Sequence, residues 1–309
     1  MTLTELRYII AVARERHFGR AAESCFVSQP TLSMAVKKLE DELGVSIFER
    51  NKNEIAITPI GQRVAEQAQR VLEEADKLKQ ISNDGKNQLA GAFSLGAIYT
   101  IGPYLFPHII PTLRKSAPDM PLVIEENFTA RLREKLKNGL LDAIIIALPF
   151  DEPGIVTLPL YDEPFVALLP AAHHWSEKSA IKTSELAKEN LLLLGEGHCF
   201  RDQVLQACPE CKNADVGNSP VRQTVEGSSI ETIRHMVVSG MGITVLPCTA
   251  AGADKYARRL LQIKRLVNPE PHRCVALAWR SSYPRPKAIE ALRKSILSSN
   301  MSCVKYNEK

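Results

Sequence analysis

Apolar residues recur at helical spacing from the start of the chain. Leu3, Leu6, Ile9, Ile10 and Ala13 predict a helix over 3–14, and FGRAAESC fits a second, short one over 18–25. A turn at Phe26-Val27-Ser28 leads to a third helix. Ser28 can cap it, and Pro30 falls in its first turn, where the missing N–H is not needed. This helix puts Leu32, Ala35, Val36, Leu39 and Leu43 on one face. The opposite face carries Ser33, Met34 and Lys37, with Gln29, Thr31 and Lys38 beside them. A plain three-helix core with a solvated outer face would show the same periodicity. The outer face, however, is small and hydrogen-bonding near its N-terminal end, where a recognition helix meets base edges. Glu/Lys pairs begin only after Lys37. The pattern over 18–43 therefore predicts a helix-turn-helix that reads DNA.

After Gly44, two short β-prone runs flank Asn51-Lys52-Asn53 and predict a hairpin with Arg50 and Lys52 at its tip, a wing suited to phosphate contact. Thr58 then caps a long helix that begins at Pro59. Along it Val64, Ala68, Val71, Ala75 and Leu78 repeat at four-three spacing, a heptad seam that predicts pairing of two chains. The alternative is a single helix packed on its own domain. The polar stretch Ser82–Gln88 reads as a hinge. From Ala92 onward the period changes and strands alternate with helices: AFSLGAI, LVIEENF, DAIIIAL, MGITVLP and HRCVALAW are strands. Helices are expected at 101–117 (broken by Pro103, Pro107 and Pro111), 129–138, 228–240 and 285–298. Nearly all-apolar strands between helices imply a parallel sheet covered on both faces.

Composition narrows the class. The chain of 309 residues is long enough for two or three domains, and 45% hydrophobic with 24% charged residues is ordinary for a globular protein. No run reaches the ~18 apolar residues of a membrane helix. The opening MTLTELRYIIAVARERHF lacks the pattern of a secretory signal, so the cytoplasm is the expected location. Net charge is only +4, and residues 1–62 carry eight basic and eight acidic residues. DNA binding must then rest on placed contacts, of which Arg14, Arg16, Arg20, Lys37 and Lys38 form a local excess.

Seven cysteines, an odd and scattered set, argue for reduced thiols rather than a disulfide framework. The segment LLLLGEGHCFRDQVLQACPECK is the most chemically pointed. Cys199 opens a short helix that stops before Pro209, with His198 and Arg201 beside it and Asp202 placed to orient either. A helix N-terminus and neighbouring cations favour the thiolate form that a redox-active cysteine needs. Cys208 lies nine residues on, roughly 13–14 Å away if the segment is helical. A disulfide tolerates about 7 Å, so joining the two would require unwinding, as in a switch. Two structural thiols, or a zinc site built from His198, Cys199 and the Cys208-Pro-Glu-Cys211 motif, are the other readings.

The run FGRAAESCFVSQPTLSMAVKKLEDELGVSIFERNKNEIAITPIG resembles the N-terminal domain of LysR-type transcriptional regulators, with the AAE, SQPTLS, KKLEDELG, FER and T-P-x-G elements in order. Further on, GAIYTIGPYLFP, IEENFT, DAIIIALPF and GHCFRDQVLQAC resemble the peroxide-responsive members of that family. The resemblance implies an α/β chain: an N-terminal winged helix-turn-helix (1–58), a long dimerising linker helix and hinge (59–89), and a two-lobed effector domain like periplasmic binding proteins (90–309). Lobe I would comprise 90–162 and 268–309, and lobe II 163–267. The resemblance also places Ser28, Gln29, Pro30, Thr31, Ser33 and Lys37 at the major groove and Arg50 on the wing. It implies that hydrogen peroxide oxidises Cys199, that Cys208 resolves it by an intramolecular disulfide, and that Thr100, Thr129, His198, Arg201 and Asp202 form the peroxide pocket. The expected partners are promoter DNA, peroxide, a second chain of a homodimer that becomes a homotetramer, and RNA polymerase, with no cofactor, metal, membrane or enzymatic turnover. Cys211 is no part of the family motif; it can compete with Cys208 or pair with it. A regulator gated by a small organic ligand between the lobes is the competing function.

Overall fold

The computed structural model describes residues 1–50, 55–82, 88–212, 226–252 and 259–307. It begins with α1 (Leu3–Glu15), α2 (Phe18–Ser24), α3 (Gln29–Leu43), the strands β1 (Phe48–Arg50) and β2 (Ile55–Ile57), and the long α4 (Pro59–Ser82). There follow β3 (Phe93–Ile98), α5 (Gly102–Ser116), β4 (Leu122–Asn127), α6 (Thr129–Lys137), β5 (Ala143–Ala147) and β6 (Ile155–Pro170). Next come β7 (Ala180–Lys182), β8 (Leu191–Leu194), α7 (Cys199–Ala207), α8 (Pro209–Lys212), β9 (Glu226–Gly227) and α9 (Ile230–Val238). The chain closes with β10 (Ile243–Pro247), α10 (Cys248–Ala251), β11 (Leu261–Val267), β12 (His272–Arg280), α11 (Pro286–Leu297) and β13 (Lys305–Tyr306).

Local chemistry sets the helix starts in the N-terminal unit. Thr2 and Glu5 form a capping box on α1, and Ser28 accepts the Thr31 N–H at the head of α3. Leu6, Ile9, Val12, Leu32, Val36 and Leu39 are buried together, whereas Leu43, expected on the same face, is 40% exposed at the helix end. The head of α4 is fixed by Thr58, whose hydroxyl accepts the Gly61 N–H at 2.8 Å and donates to Ser46 O at 2.8 Å. Gly61 is required there. A Cβ would stand 2.1 Å from Ile47 O, so any side chain would push the helix off the wing.

The seam on α4 is turned inward. Val64, Val71 and Leu72, with Ala68 fully buried, pack on the core of α1–α3. The adjoining face, with Gln69 and Glu73, lies on the effector region, where Glu73 is ion-paired with Arg280 and contacts Ser282. Three of the five predicted seam positions, Val64, Ala68 and Val71, are thus occupied within their own chain, because α1 offers the same apolar stripe a partner helix would. The Leu78 side chain, Lys52 and most of the predicted hinge (83–87) lie outside the described residues.

In the effector region β3 pairs parallel with β4 and β5, and β12 runs antiparallel to both β5 and β6. The sheet is therefore mixed rather than all parallel, since β12 returns from the second lobe against the direction of β5. Strand β6 belongs to both halves: residues 155–164 pair with β12, and 165–170 pair with β10 and β11. Beyond it β10 pairs parallel with β8, and β8 with β9. Ala143–Ala147 is buried throughout, and each buried isoleucine there contributes about 1.5–3 kcal/mol. Helix α5 is continuous through Pro107 and Pro111. Both prolines lie on the exposed side, while Leu105, Ile109 and Leu113 are buried. Packing of that stripe holds the helix where propensity alone would break it.

Candidate functional site

The outward face of α3 is as the pattern predicts. Ser28, Gln29, Pro30, Thr31 and Lys37 are exposed and Ser33 is half-buried. Lys38 is drawn back to Glu5 at 3.0 Å, which lowers the glutamate's pKa and raises the lysine's. Arg14 pairs with Glu15, and Arg20 donates to Glu15 O, so two further basic residues are spent locally. Two apolar groups stand on this surface, Met34 on the face that periodicity assigned it and Phe26 in the turn before α3. Phe26 is 96% exposed at a positive φ of 56°, and Met34 is 69% exposed. A bulky residue in the left-handed region of a turn, held out to solvent, is the kind of placement that contact with a partner explains. Arg50 ends β1; its side chain lies outside the described residues.

The second site lies where strand ends from both lobes meet, the usual place for a ligand in an open α/β sheet. Ile98, Tyr99 and Thr100 leave β3; Asn127 and Phe128 end β4, and Thr129 opens α6; Gly197, His198 and Cys199 enter α7. Together they enclose a pocket with about 10 Å³ open to the centre of a water molecule, room for one water or an equally small ligand. Gly197 makes the approach possible, at a φ of 90° and with Phe128 3.4 Å from where its Cβ would be. Cys199 is a half-buried free thiol at the first position of α7 and packs against the lobe I core. The Oγ1 atom of Thr129 is buried and has no hydrogen-bond partner among the described residues. A buried hydroxyl without a partner is costly unless a ligand satisfies it.

The rest of the pocket wall is held by a buried charge pair that periodicity did not reveal. Arg273 Nη1 donates to Thr100 Oγ1 at 2.7 Å and Nη2 to Thr100 O at 2.8 Å. The same guanidinium pairs with Glu163, Nε to Oε2 at 2.8 Å, and both side chains are buried. Glu163 also accepts from the Thr249 N–H and hydroxyl. Arg273 lies 5.3 Å from the ring of Phe200, the residue after Cys199. One Arg–Glu pair thus ties the β3 end, the β6 crossover and the second lobe together behind the pocket. The only signal in the sequence is that a charge stands inside each of two strands otherwise rich in apolar residues.

His198 is nine-tenths buried and sits edge-on to Phe128 at 4.8 Å. Burial depresses its pKa below 6.5, opposed only by a hydrogen bond with the Ser228 backbone. The imidazole is therefore neutral at pH 7, able to donate and accept but not the cation expected beside the thiol. Arg201 and Asp202 do not line the pocket. Arg201 turns away to Leu194 O at 3.0 Å and Glu226 at 2.6 Å, and Asp202 is exposed. On a helix, Arg201 two positions beyond Cys199 is turned to the opposite side, whereas Asp202 three positions on shares the Cys199 side but stands in solvent. The structure therefore brings Thr100, Thr129 and His198 to Cys199 and leaves Arg201 and Asp202 outside.

The cysteines depart from the expectation of reduced thiols. Cys208 is bonded to Cys211 with a Cα–Cα distance of 5.4 Å, and Cys248 to Cys303 at 6.1 Å. Both distances lie in the ordinary disulfide range. The zinc arrangement fails here, because Cys208 and Cys211 are bonded to each other and lie at the far end of α7 from His198. His173, His174 and Glu189 also cluster, with each Nε2 3.4 Å from the carboxylate. His173 Nδ1, however, accepts the Trp175 N–H at 3.1 Å. The proton of the neutral ring is then on Nε2, a donor to Glu189 rather than a metal ligand.

Comparison with known proteins agrees with this architecture. Residues 3–62 match the family described as bacterial regulatory helix-turn-helix protein, lysR family, and residues 86–300 match the LysR substrate binding domain. The DNA-binding transcriptional dual regulator OxyR of Escherichia coli K12 is 37% identical over 296 residues, 96% of this chain and 95% of that one. A full-length OxyR from Pseudomonas aeruginosa, a cysteine-to-aspartate variant, superimposes with a TM-score of 0.84 at 55% identity, covering 100% of this chain and 98% of that one. A Corynebacterium glutamicum OxyR mutant with H2O2 bound gives 0.63 at 30% identity, covering 98% and 93%. The chain belongs to the LysR family of transcriptional regulators, and within it to the OxyR group.

Proposed function

We propose that this chain is a DNA-binding transcription regulator that senses hydrogen peroxide through Cys199 and controls antioxidant genes. The observation that carries the reading is the pocket at Cys199: a free thiol, the neutral donor–acceptor His198, the Thr100 hydroxyl, and the unsatisfied Thr129 hydroxyl around space for one small molecule. Hydrogen peroxide is only one oxygen larger than the water this space admits, and offers two O–H donors and two acceptor oxygens to those groups. An organic effector needs a cavity of roughly 300 Å³ or more, far above what this pocket holds, which disfavours a metabolite at this position.

The chemistry follows from the geometry. The Cys199 sulfur attacks one peroxide oxygen, the O–O bond breaks, and the other oxygen leaves as water once protonated. His198 and the two threonines hold the peroxide and the departing oxygen. The sulfenic acid is then attacked by the Cys208 thiolate, hydroxide departs, and a Cys199–Cys208 disulfide remains. Two conditions apply. Cys208 must first be released from Cys211, and α7 must unwind, since its ends are roughly 13–14 Å apart. Phe200 and Val204 lie on the buried face of α7, so unwinding disturbs the second lobe and its junction with the first. Lobe I carries Arg280, the partner of Glu73 on the linker helix, which offers a route to the DNA reader.

Ser28, Gln29, Pro30, Thr31, Ser33 and Lys37 read the major groove and Arg50 the backbone. Two chains act on one operator, in a dimer or tetramer, and the output passes to RNA polymerase in the cytoplasm. No helix of the described residues is long and apolar enough to cross a membrane. The protein works as a switch, one turn per peroxide, rather than as a peroxidase. Non-reducing peptide mapping of prereduced protein tests the reading: peroxide should link Cys199 to Cys208 and alter protection of operator DNA. Cys199 staying alkylatable at every time point from the earliest quench onward, or a Cys199→Ser variant with an intact response, overturns it.

A further inference from the structure

The disulfide between Cys208 and Cys211 has no role in the scheme above, and it blocks it. While Cys208 is bonded to Cys211, an oxidised Cys199 has no thiol to capture it. The two possible bonds of Cys208 differ in what they demand of the fold. A Cys199–Cys208 bond needs the whole of α7 unwound. The Cys208–Cys211 bond forms with α7 intact: the Cys208 N–H still donates to Val204 O at 3.0 Å, and the Cys211 N–H donates to Cys208 O at 3.0 Å across the short turn. The 5.4 Å between their Cα atoms needs no backbone movement. Cys208 is fully buried, so an oxidant in solvent does not meet it directly; Cys211 is half-buried beside it, and Cys199 opens onto the pocket.

We propose that Cys211 is a second resolving thiol that withdraws the disulfide from Cys199 and resets the peroxide sensor. The step rests on the reading that peroxide first forms Cys199–Cys208. The Cys211 thiolate then attacks Cys208 Sγ, the Cys199–Cys208 bond breaks, and Cys199 departs as a thiolate that takes up the proton lost by Cys211. Cysteine oxidation is conserved in this exchange. Over the whole sequence one hydrogen peroxide is reduced to two waters, and Cys208 and Cys211 lose two electrons and two protons. Cys199 ends unchanged. The exchange runs downhill because it lets α7 and its buried face refold, a gain absent from the reverse step. The outcome is a helical, silent sensor whose free Cys199 still meets peroxide but whose switching bond cannot form until an external dithiol reduces Cys208–Cys211. The duration of the response is then set within the chain.

The test is a time course on the full-length protein, reduced, freed of reductant, and given one equivalent of hydrogen peroxide, with disulfides mapped after acid quench. Wild type should show Cys199–Cys208 first, then its conversion to Cys208–Cys211 with Cys199 alkylatable again. Cys211→Ser and Cys211→Ala should accumulate Cys199–Cys208 and lose the decay. Cys199→Ser should fail to form Cys208–Cys211 on the same timescale. Equal persistence of Cys199–Cys208 with and without Cys211, or equally fast Cys208–Cys211 formation without Cys199, overturns the relay and leaves peroxide sensing standing. Absence of Cys199–Cys208 even in the Cys211 variants overturns both.

Discussion

Replacing Glu163 by alanine removes the carboxylate that neutralises Arg273 behind the pocket. Glu163 is fully buried and Arg273 is 2% exposed, so water cannot take the carboxylate's place. Among the described residues the cation would keep the Thr100 hydroxyl and carbonyl and the Phe200 ring, none of them an anion. Removing one member of such a pair costs about 3–5 kcal/mol, mostly the penalty of an unpaired buried charge. Glu163→Gln keeps shape and one acceptor and should cost less, about 1.5–3 kcal/mol, the worth of a charged hydrogen bond. Replacing both residues by leucine and methionine should recover most of the loss, since a packed apolar pair avoids desolvation altogether. Urea unfolding followed by tryptophan fluorescence is suited to the measurement, because Trp175 and Trp279 are the chain's two tryptophans and lie one in each lobe. At an m-value of about 3 kcal/mol/M, the alanine variant should lower the midpoint by about 1–1.7 M. A shift below about 0.3 M, or a double variant worse than Glu163→Ala, would refute the view that this pair joins the lobes by charge.

Three further outcomes follow from the same structure. Gly61→Ala should destabilise the reader by about 1–3 kcal/mol, since its Cβ collides with Ile47 backbone; calorimetry checks this, and an unchanged melting temperature refutes it. His198 is neutral when folded and its pKa lies below the ordinary 6.5, so the unfolded chain binds more protons as pH falls. Stability should therefore be full above about pH 6.5 and decline below it, and His198→Gln should flatten that part of the profile relative to wild type, with His173 supplying the remaining slope. Thr129→Val should leave stability within about 1 kcal/mol, because the hydroxyl has no partner among the described residues to lose, yet slow Cys199 oxidation measured by sulfenic-acid trapping. An unaltered oxidation rate would remove Thr129 from the peroxide site.

Much of the molecule was legible in one dimension, because the rules that write it are local. Helix periodicity, the Ser28 and Thr58 caps, Pro30 and Pro59 at first turns, and the all-apolar run Ala143–Ala147 each declare an element through its neighbours in sequence. The polar head of α3 and the helix-opening Cys199 were legible for the same reason. What needed the tertiary structure involves residues far apart in the chain or the choice between two satisfied partners. Nothing near Arg273 shows that it reaches Thr100 and Glu163. Nothing along α4 shows that its apolar stripe meets α1 before any second chain. The neutrality of His198 comes from burial against Phe128, and the departure of Arg201 from Glu226 beyond β8. Spacing alone showed that Cys199 and Cys208 are too far apart along a helix and that Cys211 can compete for Cys208 or pair with it; the packed turn after α7 decided that the two are bonded. Sequence by itself thus determined the elements and the reactive thiol. Tertiary packing decided the charges, the partners and the direction in which that thiol's oxidation can pass, because each depends on distances that the chain acquires only when folded.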